Sequence, residues 1–141
     1  MQLLLLFAVV LVVLDSVWLF GASSMHQRMV KAVQGSPLKA KLGWAAGFYA
    51  LAVLAFQQII LPLSRGSATL QSAMPDTGKL VYYGALMGLL MYGTFDLTNK
   101  AIFTNYPTDY AVYDTLWGTF AIAAASVVTV MLAKKYNLKL E

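Results

Sequence analysis

The sequence has no cysteine and a single histidine, His26, among its 141 residues. Without cysteine, the chain has no disulfide, no thiolate metal ligand and no cysteine nucleophile. One histidine is too few for the histidine-rich sites that hold zinc or iron in hydrolases and oxidases. We therefore expect no cofactor, and we exclude the redox and hydrolytic enzymes that depend on such sites.

Charged residues are scarce as well. They make up 11% of the chain, whereas 60% of the residues are hydrophobic, and an ordinary soluble domain carries about 25% charged residues. Ten lysines and arginines outnumber six acids, and the basic residues lie mostly between the apolar runs, as expected for contacts with lipid headgroups. The composition predicts the lipid bilayer as a partner and indicates no nucleic acid.

Four apolar runs are each long enough to cross a bilayer, which takes roughly 20 residues for a hydrocarbon core of about 30 Å. The runs cover residues 3–22, 42–63, 80–103 and 110–133. They predict a single all-α domain over residues 1–141, an integral membrane four-helix bundle. Asp15 and Trp18 interrupt the first run and no basic residue precedes it, so we interpret it as a span and not as a signal peptide.

The basic residues of the connections and of the C-terminal tail bear on orientation. They divide evenly between the two predicted faces, and they favour the face that carries both termini if Lys100 lies inside the third run. The positive-inside rule then predicts that both termini are cytoplasmic.

Three of the six acids fall inside predicted spans: Asp15, Asp96 and Asp114. A carboxylate near the bilayer centre costs about 2.5 to 3.5 kcal/mol on insertion scales, so each is a candidate for function. Counted from the face where the first and third runs end, all three lie roughly 6 to 10 Å deep by the helical rise. We predict one polar layer, in which the three carboxylates are proton carriers or oxygen ligands of a cation, with no particular metal assigned.

Simpler roles exist for two of these acids. Asp96 can pair with Lys100 one turn later, and Asp114 can interact with the helix dipole at the start of the fourth span. Asp15 has no such alternative. For His26, in the first connection, a role beside the aspartates competes with the simpler interpretation of a surface histidine. Aromatic side chains on the same face suggest an interfacial aromatic belt, namely Tyr106, Tyr110, Tyr113, Trp18 and Trp44.

A short motif occurs twice. Asp15 and Trp18 near the end of the first span are echoed by Asp114 and Trp117 near the start of the fourth. Residues at i and i+3 share a helix face, and an indole N–H is a natural donor to a carboxylate. Because the two spans run antiparallel, we expect the two copies to face each other across a pocket.

The third span adds Tyr92, Asn99 and Lys100 around Asp96. The residues proposed for ligand binding or proton relay are thus Asp15, Asp96, Asp114, Asn99, Tyr92, Trp18, Trp117 and Lys100, and no catalytic residue is assigned.

Glycines recur at i and i+4 in two spans, as Gly84 and Gly88 in the third and Gly43 and Gly47 in the second. This spacing lets a neighbouring helix backbone approach closely. We interpret the rows as packing seams, and either row is a candidate contact in a homo-oligomer.

Longer motifs resemble a known family. They are Tyr92-Gly93-Thr94-Phe95-Asp96-Leu97-Thr98-Asn99, then Tyr106-Pro107, then Asp114-Thr115-Leu116-Trp117-Gly118-Thr119. Together with the Asp15 and Trp18 motif they resemble a family of small bacterial membrane proteins that is catalogued as a domain of unknown function. The resemblance covers nearly the whole chain and implies a four-helix protein of the bacterial inner membrane. The signature positions that it implies are Asp15, Trp18, Asp96, Asn99, Pro107, Asp114 and Trp117.

Three functions are compatible with these features. The first, which we favour, is binding or transport of a cation or proton, because a bound cation relieves the repulsion and burial of clustered carboxylates. The second is a membrane enzyme or binding protein that acts on a lipid or another apolar small molecule by aspartate acid/base chemistry. The third is a non-catalytic membrane partner or assembly subunit, in which the polar layer only fixes helix register.

Overall fold

Helices account for nearly all of the chain in the computed structural model, which describes residues 1–65 and 74–138. Much of the predicted second connection, residues 66–73, lies outside the described residues. The elements are α1 (Gln2–Gly21), α2 (Ser23–Gln34), α3 (Leu42–Ala55), a π-helical segment (Phe56–Ile60), α4 (Leu61–Arg65), α5 (Thr77–Ile102) and α6 (Thr108–Lys135). No strand occurs within those two ranges.

Four stretches are long and apolar enough to cross a membrane. They are Gln2–Gly21, Leu42–Arg65, Thr77–Ile102 and Thr108–Lys135. The predicted four-helix membrane bundle is confirmed, with boundaries that differ from the predicted ones by a few residues. The third span stays helical through its polar last turns, so Lys100 lies inside it.

The centre of the bundle is the antiparallel pair of α5 and α6. Their backbones touch at the glycines of α5: a Cβ at Gly84 would lie 2.7 Å from the Cα of Ala123, and a Cβ at Gly88 would overlap the carbonyl group of Gly118. The Gly84 and Gly88 row is therefore a packing seam within one chain. The predicted contact between copies through these two glycines is wrong, because α6 already fills that surface.

The second span is anchored by its second half. Phe56 is fully buried and its ring stacks on Phe7 of α1, with the ring centroids 4.1 Å apart, and Ile60 continues the same buried row. In the first half, Gly43 and Gly47 are exposed, and a Cβ at either would meet nothing within 4 Å. α3 contacts α1 but makes few contacts with α5, which leaves a gap between these helices.

The first connection contains a helix, α2, that the sequence analysis missed. It is amphipathic, and the side chain of its own residue His26 is buried. Three of its apolar side chains pack against the loop after α5 and against the start of α6. The cluster consists of Met25, Met29, Val33, Tyr106, Tyr110 and Ala111. Arg28 also forms an ion pair with Asp109 in the first turn of α6, so α2 is fixed across the end of the bundle near which the aspartates lie.

Candidate functional site

The two copies of the Asp and Trp motif bond to each other crosswise. The indole N–H of Trp18 donates to Asp114 Oδ1 at 2.8 Å, and that of Trp117 donates to Asp15 Oδ1 at 3.1 Å. The two indole rings stack between these bonds, with centroids 5.4 Å apart and planes 10° from parallel. The sequence repeat thus becomes a reciprocal pair that joins α1 to α6.

Both carboxyl groups of this pair are buried, with Asp15 5% and Asp114 6% exposed. Asp15 also accepts hydrogen bonds from the Tyr92 hydroxyl, at 3.2 and 3.3 Å to its two oxygens. All of these donors are neutral, and the one ion pair in the described part of the chain joins other residues. None of these contacts of Asp15 and Asp114 among the described residues is with a positively charged side chain.

Asp96 belongs to a separate set of contacts. It is 0% exposed and accepts hydrogen bonds from the hydroxyls of Tyr106 at 2.7 Å and Thr115 at 2.9 Å. Lys100 instead donates to the carbonyl oxygen of Tyr106 at 2.7 Å, so the alternative pairing of Asp96 with Lys100 is wrong. Burial and the bond to Asp96 raise the pKa of Tyr106 above its usual range, which keeps this hydroxyl a donor at neutral pH.

His26 is buried, at 7% exposed, and the interpretation as a surface histidine is wrong. Its Nδ1 shares a hydrogen bond of 3.0 Å with the hydroxyl of Tyr110, and its ring meets Trp18 edge-on. Burial lowers the pKa of His26 and outweighs the opposite effect of the Trp18 backbone. Tyr106 and Tyr110 are likewise buried, so these two do not form an interfacial belt.

Asp15 and Asp114 line a cavity of about 650 Å³ in the gap between α3 and α5. Much of the wall is aromatic: Trp18, Phe48, Tyr49, Tyr92, Phe95 and Tyr110. The other lining residues are aliphatic apart from Thr94, and Asp15 and Asp114 are the sole charged side chains among the described residues that line it. The arrangement is an apolar cavity with two acidic groups on its wall.

The predicted residues separate into three groups. Asp15, Asp114, Trp18 and Tyr92 line the cavity, and Trp117 lies behind them through its bond to Asp15. The others, Asp96, Asn99 and Lys100, do not line it. Within residues 1–65 and 74–138, no group of three acidic or histidine side chains is placed to share a metal ion.

Sequence reasoning missed the α3 side of the cavity, which is formed by Ala45, Phe48, Tyr49 and Leu51. This part of the second span is uniformly apolar, so nothing in its pattern distinguishes a cavity wall from a surface that faces lipid.

Comparison with known proteins gives one family. A family model described as "Predicted membrane protein (DUF2177)" matches residues 1–131. That range contains the first three spans, most of α6 and both copies of the Asp and Trp motif. No curated protein and no solved structure matches the chain.

Proposed function

The chain belongs to this family of predicted membrane proteins, whose description states no activity, and from that premise we propose that it binds an apolar small molecule inside the membrane. The carboxyl groups of Asp15 and Asp114 form the polar end of the binding site. The observation that carries the proposal is the cavity between α3 and α5, which is apolar except for these groups and Thr94.

The size and lining of the cavity support this function. Small-molecule sites usually have volumes of about 300 to 1,000 Å³, mostly apolar walls and a few polar groups that orient the ligand. The cavity here, of about 650 Å³, has this character. Leu51 and Phe95 on its wall are also exposed on the outer surface of the bundle, so a ligand could enter sideways from the lipid.

An inorganic cation fits this site less well than an apolar molecule. Calcium and magnesium ions take six or more oxygen ligands, whereas this cavity offers two carboxyl groups set in an aromatic surface. One oxygen of each carboxyl already accepts an indole hydrogen bond. The carboxyl groups remain able to exchange protons with a bound ligand, so the cation or proton chemistry proposed from the sequence survives in that form.

The test is retention of small molecules by protein purified from its own membrane, measured by native mass spectrometry. Ala45→Trp puts an indole into the cavity, whereas Ala46→Trp puts the same group on the exposed side of the same helix. We expect wild type and Ala46→Trp to retain a bound apolar molecule that Ala45→Trp loses. The proposal fails if all three proteins carry the same molecules in the same amounts.

We also propose that copies of the chain meet through Gly43 and Gly47, in the inner membrane of a bacterium. These glycines are exposed and leave open space for a neighbouring helix, the arrangement that close helix pairs in membranes use. Since the chain has no cysteine, Gly43→Cys should form a disulfide dimer on oxidation in membranes. Leu116→Cys, exposed on α6, is the control, and equal cross-linking at both positions would indicate random collision.

A further inference from the structure

We infer that the polar end of the cavity takes a protonated amine, so that the ligand is an apolar molecule whose sole charge is an ammonium group. This inference rests on the proposed function and adds the chemical class of the ligand. It follows from the unused acceptor on Asp114, the aromatic walls and the absence of positive side chains among the described lining residues.

The first step concerns Asp114, which is buried and lines the cavity. Its Oδ1 accepts the hydrogen bond of Trp18, whereas its Oδ2 accepts none from the described residues. This oxygen is not among the described buried atoms that lack a hydrogen-bond partner, and a hydrogen bond made to it in a mostly apolar cavity is favourable. A ligand that carries an N–H group can donate to this oxygen from inside the cavity.

The second step concerns charge. Asp15 and Asp114 interact electrostatically with each other, and the nearby basic side chains have other partners: Lys100 donates to the Tyr106 carbonyl and Arg28 pairs with Asp109. An ammonium group on the ligand supplies the positive charge that stabilises a carboxylate. No side chain among the described lining residues supplies one. Trp18, Tyr49 and Tyr92 line the same wall, and aromatic rings near an ammonium group add cation–π attraction.

The third step excludes other amphiphiles. A fatty acid, or a lipid with a phosphate group, would place its own negative charge against two carboxyl groups in a region that offers no positive side chain among the described residues. A neutral alcohol could donate one hydrogen bond to Asp114 but would leave the charge uncompensated. The geometry therefore favours a lipophilic amine over aminophospholipids, fatty acids and alcohols.

The experiment measures binding in lipid nanodiscs by fluorescence of the Trp18 and Trp117 pair. Trp44, 82% exposed, is replaced by phenylalanine in every protein so that it does not contribute. The probes are decylamine, decanol, decanoate and a short-chain phosphatidylethanolamine. Non-specific partition into the nanodisc is subtracted with the Ala45→Phe variant, which places a bulky ring in the cavity without adding a tryptophan.

We expect decylamine to bind at least about tenfold more tightly than decanol, since one desolvated cation–π contact alone is worth about thirtyfold. Decanoate and the phosphatidylethanolamine, which each bring a negatively charged group to the two carboxyls, should bind weakest. Asp114→Asn should bring decylamine down to the level of decanol. Asp76→Asn removes the same charge at the exposed N-cap of α5 and should leave binding unchanged.

The outcomes separate the two proposals. Equal binding of decylamine and decanol, unaffected by Asp114→Asn, would overturn the inference of an ammonium ligand and leave an apolar binding site in place. If no probe gives a signal that Ala45→Phe removes, both proposals fail. The order of the four probes on the wild-type cavity needs no aspartate variant, so the inference stays testable even if Asp114→Asn does not fold.

Discussion

At the scale of single residues, the protein surrounds each buried aspartate with neutral donors. Trp18, Trp117 and Tyr92 serve the cavity carboxyls, and Tyr106 and Thr115 serve Asp96. Neutral donors stabilise a carboxylate without cancelling its charge. This explains how the acids are tolerated in the fold.

The crossed bonds give the first prediction. Trp18→Phe keeps an aromatic ring in the stack but leaves Asp114 without its donor, so we expect unfolding free energy to fall by about 1 to 3 kcal/mol. Trp117→Phe should cost less, because Asp15 still accepts from Tyr92. Trp44→Phe, at an exposed position, is the matched control in denaturant unfolding in detergent. Equal stability of Trp18→Phe and Trp44→Phe would show that the crossed bond contributes nothing.

His26 gives a prediction about pH. Burial lowers its pKa in the folded protein below the ordinary value of 6.5, so the unfolded chain binds a proton more readily. Stability should therefore fall as the pH drops through 6.5, and the fall should stop below the folded pKa. The groups that face His26 are Tyr110 of α6 and Trp18 of α1.

The measurement is the melting temperature of wild type and His26→Gln at about pH 8 and pH 5. Glutamine keeps a hydrogen-bonding group towards Tyr110 and does not titrate. We expect the loss at low pH to be smaller in His26→Gln by roughly 2 to 4 °C. Other groups affect both proteins alike, so identical losses would mean that His26 is not buried in its neutral form.

Among these residues, the sequence was most informative where an aspartate and a tryptophan recurred at the same spacing. The repeat of Asp and Trp at i and i+3 predicted that the two copies face each other, as the bonds between them show. It could not predict that each tryptophan bonds the aspartate of the other copy, since that depends on helix rotation. Nor could it predict the burial of His26, which requires knowing that α2 folds back over Tyr110.

At the scale of secondary-structure elements, the bundle is built unevenly. α5 and α6 pack backbone to backbone through glycine, while the buried residue of α3, Ala52, lies near the end that continues into the π-helical segment. Close packing of two helices and loose packing of a third is what creates the cavity.

The contact between α5 and α6 gives a prediction that distinguishes the effect of packing on stability from the effect of helix propensity. Gly88→Ala should destabilise the protein by about 1 to 3 kcal/mol or more, because its methyl group would overlap the Gly118 backbone. Gly21→Ala, where a Cβ meets nothing within 4 Å, should be neutral or slightly stabilising through helix propensity. Unfolding in detergent compares the two. A stable Gly88→Ala protein would contradict the α5 and α6 contact.

The spans were predictable at this scale because length and hydropathy alone determine a membrane crossing. α2 was missed because it is short and polar on average. A signal was present: Met25, Met29 and Val33 recur at helical spacing, and Gly35 follows with the left-handed backbone that often ends a helix.

At the scale of the whole molecule, the four spans place α2 and the loop before α6 on one face. The start of α1, the end of α4, the start of α5 and the end of α6 lie on the other, since successive spans alternate in direction. The aspartates lie nearer the face that carries α2. Because Lys100 is inside α5, the remaining basic residues favour cytoplasmic termini.

This topology is testable because the chain has no cysteine of its own. Ser36→Cys and Met74→Cys are exposed positions in the first and second connections. In intact cells, we expect a membrane-impermeant thiol reagent to label Ser36→Cys and to reach Met74→Cys after lysis. Labelling of both from the same side would contradict the number of spans, and the reverse pattern would invert the orientation.

The cavity is a property of the whole molecule, and the sequence could not reveal it. It arises where four helices fail to close on one another, with α1, α3, α5 and α6 all contributing to its wall. The sequence did identify its acidic end. Carboxylates are rare in membrane spans, so they are candidates for function however the helix is rotated.

The central claim is that an apolar molecule occupies this cavity, and photo-cross-linking in native membranes tests it most directly. An alkyl amine with a diazirine on its chain is activated by light, and the labelled residues are mapped by mass spectrometry. We predict labelling of Phe48, Tyr49 and Met91 on the cavity wall, and its loss in Ala45→Trp but not in Ala46→Trp. Labelling confined to outward positions such as Leu116 and Phe120 of α6, and equal in both variants, would contradict the account.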